Sequence, residues 1–180
     1  MKDVFEKDLY RYYGGRKESL KQRLLRAPEI RYIRIMRKVQ STKGIAQKWY
    51  ILRLMIISRK TKIQIPAATK VGAGFYIGHT GRIIVNADAI IGKNVNIATG
   101  VTIGQENRGS RKGCPTISDR VWIGTNSVIV GKINIGEDVV IAPLTFVNFD
   151  VPPHSIVVGN PARIIHRENA TEAYIENTVD

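Results

Sequence analysis

The chain of 180 residues contains a single cysteine, Cys114, so no internal disulfide can form and a disulfide-stapled secreted scaffold is excluded. It has only three histidines, His79, His154 and His166, and their spacing suggests no convergent three-ligand set, so no metal is expected. Long apolar runs are missing. The nearest approach, Trp49 to Ile57, is interrupted by Arg53 and is much shorter than the roughly eighteen residues of a membrane span. The opening residues Lys2, Asp3, Glu6, Lys7 and Asp8 lack the apolar segment of a secretory signal. These absences point to a cytoplasmic protein.

Acid is scarce at one end. Residues 1–62 hold 18 of the 28 Lys and Arg but only 5 of the 15 Asp and Glu, so the whole net charge of +13 lies there. Such a segment attracts polyanions through its long-range field and through counterion release. Anionic lipid headgroups and phosphate-bearing molecules are the candidates, and a solvated helical face is the simpler reading. No nucleic-acid-reading motif accompanies the charge, so nucleic acid is not expected as a partner.

Two periods are present. From Lys2 to about Arg59 the pattern is helical, with apolar residues three and four apart in segments such as Ser19–Arg26 (Leu20, Leu24) and Ile30–Val39 (Ile30, Ile33, Met36). Gly14-Gly15 and Pro28 break this basic segment, residues 1–62, into short helices. The stretch Ile45–Ile57 is more apolar and is expected to pack on the body of the protein or on a neighbouring subunit.

After Ile63 the period becomes six. Aliphatic residues fall at Ile65, Val71 and Ile77, then at Val85, Ile91, Ile97 and Ile103, then at Ile117, Ile123, Ile129, Ile135, Ile141 and Val147. Small residues often follow them, and a second series lies at Val95, Val101, Val121, Val139 and Thr145. Sheets alternate with period two and helices with about 3.6, so neither explains this spacing. A solenoid of stacked three-sided coils does. The fold expected is therefore mainly β, a parallel β-helix over residues 63–158 with a short α-helical segment before it and a C-terminal tail, 159–180.

Two places break the rule. Ile77 to Val85 is two residues too long, and that excess contains His79. Ile103 to Ile117 is eight too long, which makes a loop of residues 104–116. Packing requires neither, and loops extruded from a rigid scaffold are where binding and catalysis concentrate.

The stretch from Gln64 to Ile165 resembles the serine acetyltransferase branch of the hexapeptide-repeat acyltransferases, including shorter members from capsule and colanic-acid clusters. The matching motifs are Ile65-Pro66-Ala67-Ala68-Thr69-Lys70-Val71-Gly72, His79-Thr80-Gly81, Val101-Thr102-Ile103-Gly104, Asp150-Val151-Pro152-Pro153-His154-Ser155 and Gly159-Asn160-Pro161-Ala162-Arg163. The resemblance implies a left-handed β-helix, a homotrimer with active sites between subunits, acetyl-CoA as co-substrate, and His79 as catalytic base. An imidazole with a reference pKa of about 6.5 can take a proton from an alcohol near neutrality. Gly104 is a candidate donor to the oxyanion. The positions that correspond to coenzyme A contacts are Gly104, Gln105, Thr125 and Pro143, with Lys132 and Arg163 as nearby cations for its phosphates. His154 reads as part of a turn, His166 as solvated.

The resemblance also implies an acceptor pocket at Gln64, Gly78 and Cys114, and here the chain departs from the serine enzymes. They place acids at positions 64 and 78 and an Arg-His pair before Pro115, where this chain has Gly113-Cys114. A zwitterionic acceptor needs complementary charge on desolvation. The neutral set predicts a sugar hydroxyl on an exopolysaccharide or capsule precursor, with serine as the alternative and a non-catalytic trimeric polyanion-binding module as the third reading. The basic N-terminal segment would then contact an anionic membrane peripherally, and trimers could pair through their helices. Cys114 has no catalytic role in a direct transfer.

Overall fold

The computed structural model describes residues 4–16 and 26–180. Among the described residues three helices precede the strands: α1 (Val4–Tyr13), α2 (Pro28–Ser41) and α3 (Gly44–Thr61). The breaks fall where the sequence places them. Helix α1 runs into Gly14 and Gly15, both at positive φ, and Pro28 opens α2 at a position where a missing N–H costs nothing. The helical reading of Ser19–Arg26 lies outside the described residues except for Arg26, which is buried.

From Ile63 onward the chain winds into a three-sided β-helix of about five coils. The first face stacks β1 (Ile63–Gln64), β4 (Ile83–Val85), β7 (Thr102–Gly104), β10 (Val128–Val130) and β13 (Phe146–Val147). The second stacks β2 (Lys70–Val71), β5 (Ile90–Ile91), β8 (Thr116–Ile117) and β11 (Asn134–Ile135). The third stacks β3 (Tyr76–Ile77), β6 (Asn96–Ile97), β9 (Val121–Ile123), β12 (Val139–Ile141) and β14 (Ser155–Gly159), with β15 (Ala162–His166) added antiparallel. All other pairs are parallel.

The sixfold aliphatic series become the inward columns. Val71, Ile91, Ile117 and Ile135 are in register down the second face, and Ile77, Ile97, Ile123, Ile141 and Val157 down the third. Val85, Ile103, Ile129 and Val147 fill the first. Nearly all of these are fully buried, at about 1.5–3 kcal/mol each relative to exposure. The corner glycine Gly72 is required by packing: a Cβ there would meet the Gly92 carbonyl carbon and oxygen and, at 2.7 Å, the Lys93 nitrogen.

The first coil has no coil above it, so its backbone groups need other partners. The helices supply one for each face. On the first, the Tyr32 hydroxyl donates to Ile65 O and accepts from Ile65 N, both at 2.9 Å. On the second, Arg37 donates to Val71 O at 2.7 Å and Gly72 O at 2.6 Å. On the third, the Tyr12 hydroxyl bonds Ile77 O and Ile77 N, both at 2.9 Å. Asp8 pairs with Arg37 at 2.8 Å and accepts from Phe75 N. Arg11 donates to Gly74 O and Asn96 Oδ1. Burial pushes the Tyr32 phenol up to about 12 and raises Tyr12 as well. Some of the basic charge is therefore internal: Arg11 and Arg37 are buried ties, not a solvated face.

The C-terminus is more than the expected tail. After β15 the chain climbs back along the third face. Ala170 and Thr171 bond Asp138, Tyr174 packs on Trp122 with ring centroids 4.9 Å apart, and Val179 exchanges hydrogen bonds with Asn94. The Glu176 carbonyl accepts from Arg11, and the Asp180 carbonyl accepts from Lys7, so the strap ends on α1.

Candidate active site at two corners of the prism

His79 lies at the corner between the third face and the first, between β3 and β4. The two extra residues are taken up there as a local bulge. Gly81 N bonds Thr61 O at 2.9 Å and Ile83 N bonds Lys62 O at 3.2 Å, so the C-terminal end of α3 holds the bulge. Gly81 sits at φ 140°, and a Cβ on it would collide with Thr99 Oγ1 of the coil below. His79 is exposed, and among the described residues its ring makes no hydrogen bond. Among the described residues no acid is paired with it. Gly78, immediately before it, is open to a larger residue, since an added Cβ would come no nearer than 3.8 Å to Tyr76 Cε1.

Below His79 the same corner carries small residues: Ala98, Thr99 and Gly100, then Gly124 and Thr125, then Ala142 and Pro143. They form a ladder in which Asn126 N bonds Thr99 O and Leu144 N bonds Thr125 O. Two of the expected coenzyme A positions, Thr125 and Pro143, thus share an edge with His79. The sequence reading places them by alignment only. The coil register gives the physical reason, because residues about one coil apart stack on one corner.

The other candidates stand elsewhere. Gly104 ends β7 and Gln105 follows at the corner between the first face and the second. Cys114 closes the loop there, and Lys132 lies one coil below, with Lys132 N bonded to Arg111 O at 2.8 Å. The loop is an ordered hairpin rather than an open excursion. Glu106 and Gly113 exchange backbone bonds at 3.1 and 3.0 Å, and Arg111 pairs with Glu106 at 3.3 Å. Burial, and secondarily the Asp88 carboxylate, push the Cys114 thiol up, which disfavours a thiolate. Gln64 is exposed on β1, and Arg163 is exposed on β15. One face separates the two corners, roughly 15–20 Å at about 3.3 Å per residue over six residues. A single chain therefore does not bring His79 and the loop together.

The remaining histidines differ from His79. His154 Nδ1 lies 2.8 Å from Asp138 Oδ2 and 3.5 Å from Glu168, and His166 lies 3.3 Å from Glu168. Burial pushes the Asp138 carboxyl up, but hydrogen bonds from Thr171, His154 and Ala170 outweigh it and hold it at about 2. Asp138 escapes a motif search because its partners are far away in sequence. Among the described residues no cluster of three His, Cys, Asp or Glu could hold a metal ion.

The fold is a left-handed β-helix, shared with solved hexapeptide-repeat acyltransferases. Within that class the chain resembles serine acetyltransferases. It is 35% identical over 122 residues to the serine acetyltransferase of Bacillus subtilis, covering 66% of this chain and 56% of that one. To the Synechococcus elongatus serine acetyltransferase it is 34% identical over 131 residues, 68% of this chain and 54% of the relative. The solved serine acetyltransferase of Brucella abortus in complex with coenzyme A superposes with a TM-score of 0.77 at 26% identity, covering 91% of this chain and 67% of that one. The soybean enzyme complexed with serine gives a TM-score of 0.74 at 27% identity, covering 90% and 68%. The chain spans about half the length of the two bacterial curated relatives and 33% of an Arabidopsis thaliana one. No family model matches it.

Proposed function

We propose that the protein is an acetyl-CoA-dependent O-acetyltransferase with His79 as general base. The observation that carries this reading is the unobstructed imidazole in the bulge at Gly78–Gly81, above a corner of small residues. There the backbone is accessible to the amides of a pantetheine arm. His79 withdraws the acceptor hydroxyl proton as the oxygen attacks the thioester carbonyl. The resulting oxyanion collapses and expels the thiolate of coenzyme A, which takes the proton back from the imidazolium.

The site needs a second copy of the chain. On the first face the outward row Gln64, Ile84, Thr102, Val128 and Phe146 is open, with Ile84 and Phe146 exposed, whereas the third face is covered by α1 and the strap. Packing first faces around a threefold axis would set the His79 corner of one copy against Gly104, Gln105 and Lys132 of the next. We therefore read the molecule as a cytoplasmic homotrimer.

The relatives named above favour L-serine as the acceptor over the sugar hydroxyl expected from the sequence. The glycan reading is kept as second because Gln64, Gly78 and Cys114 offer no charge to an amino acid's ammonium and carboxylate. Following thiol release from acetyl-CoA with L-serine, and in parallel with nucleotide sugars, separates the two. Turnover with serine alone supports the first reading, turnover with a sugar alone the second, and no thiol release with any acceptor removes both. Gly78→Asp, for which the structure has room, is expected to lower KM for serine.

A further inference from the structure

Helix α3 does not pack its apolar side on the body of its own chain, one of the two outcomes the sequence implies. Only Leu54 and Thr61 of its residues are buried, while Ile45, Trp49, Leu52 and Ile56 are 87, 53, 55 and 48% exposed. Their intervals of four, three and four put them within about 60° of one another on the helix, opposite Leu54. Lys48 and Arg59 flank this ridge on one side, Arg53 and Lys60 on the other, and α3 contains no acid. Arg53 also lies over the Trp49 ring at 4.7 Å. Beside the ridge, a cavity of about 470 Å³ runs between α3 and α2, lined by Tyr50, Arg53, Ile56 and Lys60 on one wall and Arg34 on the other.

We propose that α3 is a docking surface for an anionic phospholipid bilayer, lying in the plane of the headgroups. The ridge reaches the acyl boundary, the flanking cations meet lipid phosphates, and the cavity between α2 and α3 takes one headgroup. Charge decides between this occupant and another α3. Two copies of an acid-free, basic helix would bring like charges together, whereas a bilayer surface supplies the missing negative charge along the whole ridge. No helix among the described residues is long and apolar enough to cross a membrane, so the contact is peripheral. It stands independently of the reaction proposed above.

The test is co-sedimentation of the full chain with vesicles of phosphatidylcholine alone and of phosphatidylcholine with phosphatidylglycerol, with the mass of the assembly measured by light scattering. The wild type is expected to bind the anionic vesicles and to leave them in high salt. Leu52→Glu with Ile56→Glu should cut that binding at least tenfold without changing the mass. Lys48→Gln with Arg59→Gln should cut it by about fivefold per charge removed on anionic vesicles only. Failure of the wild type to bind anionic vesicles overturns the proposal. So does wild-type binding by the Leu52/Ile56 variant, or a fall in its assembly mass, which would mean that another copy covers the ridge. Should that variant not fold, the Lys48/Arg59 pair, on solvated side chains, decides by the same criteria.

Discussion

Two histidines sit at corners of one solenoid, and their surroundings are opposite. His154 is clamped at a corner of the lower coils: its Nδ1 is bound to a buried carboxylate that also holds Ala170 and Thr171. His79 stands on a bulge at the top with no side-chain partner among the described residues. A ring tied through Nδ1 to a buried carboxylate that also anchors the strap reads as a structural element. One whose nitrogens are unclaimed, beside backbone left bare by small residues, is available to a substrate. The comparison teaches that the imidazole lacking an Asp is here the better candidate for catalysis, although a search for His–Asp dyads would choose the other.

The sharpest way to break that contrast is to remove each ring in turn. His79→Ala should lower kcat/KM for acetyl transfer by about 10²–10⁴-fold while leaving thermal unfolding unchanged. His154→Ala should do the reverse, retaining turnover and losing stability, and equal loss of turnover in both would erase the distinction. The next largest effect is expected at Asp138→Ala. It strands the donors of Ala170 and Thr171 and frees the strap, at a cost of about 3 kcal/mol in urea unfolding. With its carboxyl held at about 2, Asp138 contributes stability that is present above its unfolded value of about 3.9 and lost as pH falls through about 2. Wild-type acid unfolding should steepen in that window, and Asp138→Asn should not.

A smaller change, about 1 kcal/mol, is expected for Tyr32→Phe, which unpairs Ile65 at the first coil. Hydrogen exchange should then rise at the top of the prism and not at its base. The smallest is a pH slope. The hydrogen bond to Asp138 raises the His154 pKa, offset in part by desolvation. Its contribution is fully present below the unfolded value of about 6.5 and is lost as pH rises through the raised folded value. Melting temperature should decline slightly across that interval in the wild type and stay flat in His154→Gln.

The solenoid was legible because its inward positions recur without regard to what lies outside, so Ile91, Ile117 and Ile135 announce themselves. Both insertions were legible for the same reason, and with them His79. The sharing of one corner by Thr125, Pro143 and His79 follows from register, which the period implies once the coils are counted. Other features were hidden. Arg11 and Arg37 look like surface charge because several of their partners are carbonyls of residues 71, 72 and 74, which carry no side-chain signal. The strap reads in sequence as a mere tail, since Tyr174 and Thr171 gain meaning only beside Trp122 and Asp138. The exposure of helix α3 is also hidden, because an apolar stretch reads alike whether it faces a core or an external surface.

The proposed reaction requires the corner beneath His79 to receive the pantetheine arm of the acetyl donor. A crystal structure of the protein with coenzyme A bound tests it most directly. The arm is expected along Thr99, Thr125 and Pro143 with its thiol end at His79, and Gly104, Gln105 and Lys132 of the neighbouring copy on its other side. Coenzyme A bound on another edge, with the His79 corner open to solvent, would contradict it.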